Sequence, residues 1–81
     1  MNAKQKPKLY KKYYWIIQDK DILGGQLTIL GTRLSVSQIL ECLAEGMTPN
    51  DIQEMFGQFP LEAMPEIYRV ASELVEKNAA A

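Results

Sequence analysis

The stretch Gly46-Met47-Thr48-Pro49 limits the folds open to this chain more than any other. Glycine favours the left-handed backbone that ends a helix. Thr48, Pro49 and Asp51 then stand as an N-cap, a first-turn proline and an acid that can reach back, with Met47 placed to staple against Ile52. One helix must stop and another start almost at once, so the chain contains a sharp corner between two helices.

Helical signals surround that corner. Ser35 with Gln38 three residues on makes a capping-box pattern, and Val36, Ile39, Leu40, Leu43 and Ala44 form one apolar stripe that should end at Gly46. After the corner the apolar face is Ile52, Met55 and Phe56, closed by Gly57. Gln58-Phe59-Pro60 then leads into a third periodic segment with Met64, Ile67, Tyr68, Ala71, Leu74 and Val75 on one face. Pro65 has no N–H to give, so regular helix is expected to begin no earlier than about Glu62. Ahead of the helices, Tyr13, Tyr14, Trp15, Ile16 and Ile17 read as a strand that ends in the turn-prone Asp19-Lys20-Asp21, with a second short strand over residues 27–30. The expected fold is mainly α: a three-helix, helix-turn-helix-like (homeodomain-like) bundle preceded by a short β-hairpin or strand pair.

Three parts are expected: a basic flexible arm over residues 1–12, a single domain over 13–77 and a frayed tail over 78–81. At 81 residues the domain buries only a small core, so a partner chain, a homodimer first of all, is expected to share its stability. Charge is divided unevenly. Lys4, Lys6, Lys8, Lys11 and Lys12 make the arm +5, whereas four basic against ten acidic residues leave the rest at −6.

Several chemistries are poorly served by this composition. There is no histidine, which removes the commonest general base, and the one cysteine, Cys42, can form no internal disulfide and supports no zinc cluster. Gly24 and Gly25 precede Gly31-Thr32-Arg33, but no Lys-Ser or Lys-Thr follows as a phosphate-binding loop requires, so these glycines read as corner residues. Asp19 and Asp21 lack the remaining oxygen ligands of a metal site. No catalytic residue, metal or cofactor is expected. No apolar run approaches a membrane span and no signal-peptide core follows the basic N-terminus, so a cytoplasmic protein without membrane contact is the expectation.

Binding is better supported. The arm interleaves lysines with aromatics, a composition that neutralises phosphates and stacks on bases, so Lys4, Lys6, Lys8, Lys11, Lys12 and Arg33 are the candidate nucleic-acid contacts. Arg33 stands near the positive end of a helix dipole, which calls for a carboxylate or phosphate partner. Helix three, with Glu62, Glu66, Glu73 and Glu76 against Arg69 and Lys77, is poorly charged for a DNA groove. The aromatic strand Tyr13, Tyr14, Trp15, Ile16 and Ile17 is the candidate partner-binding edge.

Residues from about Trp15 to Glu73 resemble a small bacterial family, domain of unknown function 433. The resemblance rests on Ile22-Leu23-Gly24-Gly25, Ile29-x-Gly31-Thr32-Arg33-Leu34-x-Val36, Ile39-Leu40-x-x-Leu43-Ala44-x-Gly46-Met47-Thr48-Pro49 and Asp51-Ile52. Gly24, Gly25, Gly31, Thr32 and Arg33 are its signature. Members look like VapB-type antitoxins. The resemblance therefore implies a helix-turn-helix-like domain, often dimeric, that neutralises a PIN-like ribonuclease toxin and represses its own operator DNA. A stand-alone DNA-binding regulator using the basic arm is the alternative. The chain departs from the pattern at Phe59-Pro60-Leu61 and Pro65, and in the length of its lysine-rich arm.

Overall fold

Two pairs of extended residues organise the N-terminal half. In the computed structural model, which describes residues 8–79, β1 (Ile16–Ile17) runs antiparallel to β2 (Thr28–Ile29), with Ile16 opposite Ile29 and Ile17 opposite Thr28. Both strands are shorter than the sequence suggests. The Trp15 carbonyl still accepts Leu30 N–H at 2.8 Å, but regular pairing stops there because Tyr14 and Trp15 donate their backbone N–H groups to Glu66 on the last helix. The connection between the strands turns through a short 3-10 segment, Leu23–Gly25.

Each outer edge of this strand pair is covered by one further bridge. Leu9 pairs with Ile17, supported by hydrogen bonds from Tyr10 N–H to the Ile16 carbonyl and from Gln18 N–H to the Lys8 carbonyl, both 2.8 Å. On the far side Ser35 pairs with Thr28, and Val36 N–H donates to the Leu27 carbonyl at 2.8 Å. So short an edge offers little for another strand to pair with. The boundary expected at residue 13 therefore falls inside hydrogen-bonded structure that takes in residues 8–10, while residues 1–7 of the arm, Lys4 and Lys6 among them, lie outside the described residues.

Three helices follow. The first, α1 (Val36–Ala44), is capped by Ser35, whose hydroxyl accepts the Gln38 N–H at 3.0 Å. Gly46, at φ +96°, takes the chain out of it. The second, α2 (Pro49–Phe56), carries the full reciprocal cap: Thr48 Oγ1 accepts from Asp51 N–H at 3.1 Å, and Asp51 Oδ2 accepts from Thr48 N–H at 2.9 Å. Gly57, at φ +76°, closes it, and Gln53 Nε2 then holds the Phe59 carbonyl at 2.9 Å. A 3-10 turn, Leu61–Ala63, leads into α3 (Met64–Ala79). Pro65 sits in the first turn of α3, where its missing N–H leaves no bond unmade. The helix runs on to Ala79, so the tail expected to fray from residue 78 is helical over its first two residues.

The mainly α fold with an N-terminal strand pair is as the sequence indicates, while the core differs in detail. Ile16, Ile29, Ile39, Ile52, Phe59, Ala63, Ile67 and Val70 are fully buried and form one cluster with Tyr13, Val36 and Met64. Met47 and Cys42 pack at its margin, partly buried. Met55, Tyr68 and Val75, assigned to apolar faces by spacing, are 63%, 53% and 67% exposed, and Ala44 is exposed as well. Val70 takes the inward place on α3. The reason is rotation: the entry angle set by Pro60 and the 3-10 turn points the side containing Ala63, Ile67 and Val70 at the core.

Candidate functional site

The N-terminal segment is fastened to α3 by two carboxylates. Glu66 receives the N–H groups of two successive residues, Tyr14 at 3.0 Å on Oε2 and Trp15 at 2.6 Å on Oε1. About two helical turns later, Glu73 Oε1 accepts the Tyr13 hydroxyl at 2.6 Å. Glu66, Arg69 and Glu73 fall three and four apart, so they share one face of α3, flanking the buried stripe. Lys11 and Lys12 close the opposite wall, and these residues with Tyr13 line a groove of about 610 Å³.

Aromatic stacking steadies the same region. The rings of Tyr10 and Tyr13 stack with centroids 6.0 Å apart, Lys11 Nζ lies 5.3 Å over the Tyr10 ring, and Tyr14 meets Trp15 edge-on at 4.9 Å. Lys11 adopts φ +51° in the turn closed by Tyr13 N–H and the Tyr10 carbonyl. That backbone region suits glycine better than lysine. Burial, and then the hydrogen bond and charge of Glu73, push the Tyr13 phenol up to about 12, with Arg69 pulling the other way.

Both carboxylates in the groove are engaged in holding the fold, which leaves neither free as an acid or base. The lining is five charged residues and one tyrosine, with the stems of the long side chains and the Tyr13 ring supplying apolar surface. The groove is best described as a clasp. Its cationic rim, Lys11, Lys12 and Arg69, faces outward, with Lys8 also exposed nearby in sequence. Among the described residues no group of three or more histidine, cysteine or acidic side chains is placed to hold a metal ion.

The remaining sequence candidates are scattered. Arg33 is exposed on the turn between β2 and α1 and is not part of the groove. Thr32 is the keystone of that turn: its hydroxyl donates to the Ile29 carbonyl at 2.8 Å and accepts the Leu34 N–H at 3.0 Å. Gly25 offers its carbonyl to Gln18 Nε2 at 3.1 Å, so the signature residues Gly24, Gly25, Gly31 and Thr32 shape corners. The candidate partner-binding edge is closed. Tyr13, Ile16 and Ile17 are buried, Trp15 is half-buried, and Tyr14 is the one exposed member of the five.

A different face is open. From Leu34 to Tyr68 there is no lysine or arginine, while Glu41, Glu45, Asp51, Glu54 and Glu62 are all exposed. On α2 Asp51 and Glu54 border exposed Met55 and half-buried Met47 around a shallow hollow of about 470 Å³. The capping bonds from the Thr48 backbone and side chain hold the Asp51 carboxyl below its ordinary 3.8, so this rim stays anionic in mild acid. The uninterrupted acidic stretch was readable in the sequence. That part of it borders an exposed and a half-buried methionine was not, because spacing alone put Met55 on the buried side.

No helix among the described residues is long and apolar enough to cross a membrane. No curated protein and no solved structure matches the chain. A family model does match, over residues 16–68, which includes both strands, the glycine corners, α1, α2 and the start of α3. The chain accordingly belongs to the family described as "Protein of unknown function (DUF433)".

Proposed function

We propose that this chain is a non-catalytic, antitoxin-like protein of the cytoplasm that binds and neutralises a PIN-like ribonuclease toxin, and that it works as a homodimer. One observation carries the reading: Asp51 and Glu54 border exposed Met55 on α2, Glu41 and Glu45 are exposed at the end of α1, and no basic residue occurs from Leu34 to Tyr68. A ribonuclease has to hold RNA phosphates on a positive surface, and an acidic patch with an adaptable methionine at its centre is complementary to such a surface. The same charge repels a DNA backbone. A catalytic role has little to work with, because Asp51, Glu66 and Glu73 are committed to capping and clasping bonds.

The test is inhibition. A PIN-like protein encoded beside this chain should lose its ribonuclease activity on stoichiometric addition of the purified chain. The triple variant Glu41→Lys, Glu45→Lys, Glu54→Lys should bind at least about tenfold more weakly, with wild-type affinity falling as salt rises. Undiminished cleavage in the presence of the wild-type chain would sink the reading.

A second reading is favoured by the backbone at Lys11, which is held at φ +51° beside Lys12 although glycine would fit with less strain. A DNA-binding regulator, or an antitoxin that also binds its operator, would use Lys8, Lys11, Lys12 and Arg33, together with Lys4 and Lys6. Neutralising these lysines should then abolish binding and flatten its salt dependence, and unchanged binding rules the basic segment out.

A further inference from the structure

Away from the core, α3 carries a second line of uncharged residues. Pro65, Tyr68, Ser72, Val75 and Ala79 recur at spacings of three and four, and all five are exposed. At about 100° per residue this line lies about a third of a turn from Ile67 and about half a turn from Val70, by which α3 joins its own domain. Spacing of three and four is the pattern of a seam that a second helix covers. From Ser72 to Ala79 every residue of α3 is exposed, and the Glu73 bond to Tyr13 lies off the seam, which is left accessible.

The charges beside the seam indicate which helix. Arg69 and Glu76 lie on one flank, seven residues apart, so they do not pair with each other within the helix, and the carboxylates three and four residues from Arg69, Glu66 and Glu73, already hold the N-terminal segment. When two copies of α3 are laid antiparallel, Ser72 packs opposite Val75 of the second copy and Tyr68 opposite its Ala79, large against small in every layer. That register brings Arg69 opposite Glu76 of the second copy, twice by symmetry. Parallel pairing would instead set the Arg69 and Glu76 flank against Ala71 and Asn78, with no charge pair. We infer that α3 forms a two-fold antiparallel helix pair with a second copy of this chain, centred between Ser72 and Val75. The inference rests on the homodimer reading above and gives it a surface, distinct from the acidic corner, so that each dimer would offer two acidic faces to its toxin. So small a contact is expected to give a weak dimer.

Sedimentation equilibrium of the full chain from ~10 µM to ~1 mM tests it. A reversible dimer is expected, with Val75→Asp raising its Kd at least about tenfold. Arg69→Glu and Glu76→Arg should each raise it several-fold, and the two combined should restore it to within about twofold, as expected for a charge swap across two exposed pairs. Circular dichroism melts confirm that the variants remain folded, including Arg69→Glu, whose residue also lines the clasp. A monomer at every concentration overturns both the helix pair and the homodimer reading. A dimer indifferent to Val75→Asp overturns the helix pair alone, leaving self-association to another face. Failure of the combined variant to recover overturns the antiparallel register.

Discussion

Tyr13 and Glu66 show how single residues bind the two ends of this chain. Glu66 satisfies two backbone N–H groups at once, and its truncation would leave both without a partner. Glu66→Ala should cost about 1–3 kcal/mol in denaturant unfolding, whereas Glu62→Ala, exposed at the start of the same region, should stay within about 0.5 kcal/mol. Tyr13 offers a pH signature. Its phenol titrates near 12 when folded against an ordinary 10.0, so the folded state holds that proton more tightly. The stability due to this bond is complete below pH 10 and is lost as pH rises towards 12. Absorbance titration should show one tyrosine lagging the other three, and Tyr13→Phe should remove the laggard. Neither carboxylate stands out in the sequence, since Glu66 and Glu73 look like any solvated helix face until a strand some fifty residues away arrives beside them. Three charges at spacings of three and four, beside an apolar stripe, were the available signal.

Among the elements, α2 is the one most fully specified by its own residues. Thr48, Pro49, Asp51 and Gly57 each do what local stereochemistry requires, and the cap forms as a reciprocal pair. Thr48→Ala should cost about 1 kcal/mol and lower the melting temperature by about 4–8 °C, as is usual for a domain of this size. Because Asp51 titrates below its ordinary 3.8, the support it lends is intact above that value and fades as acid protonates it, so the gap between wild type and Thr48→Ala should narrow at low pH. The strand pair is the opposite case. Aromatic and β-branched residues over 13–17 suggest five strand residues, yet only Ile16 and Ile17 pair, since Glu66 draws the preceding amides out of the sheet. In α3 the spacing was read correctly as helical, and the rotation was not. Period alone leaves the 64, 67, 71 and 74 side and its neighbours equally apolar, and only the path in from Phe59 decides that Val70 turns inward and Tyr68 outward.

For the molecule as a whole, the N-terminal segment is part of the fold and not an appendage. A chain that starts at Tyr13 would lose the Leu9 bridge, the stack of Tyr10 on Tyr13 and the hydrogen bonds that cover β1. Its melting temperature should fall by more than about 4 °C, and an unchanged melt would show residues 8–12 to be dispensable. The two charged regions are also placed by the fold. Basic residues at one end and acidic residues in the rest read as a basic arm on an acidic body. Folded, Lys11 and Lys12 line a clasp held by acidic side chains, and exposed Asp51 and Glu54 border the hollow on α2. Helix boundaries, caps and glycine corners were all legible along the chain because each depends on the backbone geometry of a few consecutive residues. Which apolar residues are buried, which carboxylates are already bonded and which faces remain open depend on contacts between segments distant in sequence. Those contacts form only when Glu66 meets Tyr14 and Phe59 closes the core, and no local pattern encodes them.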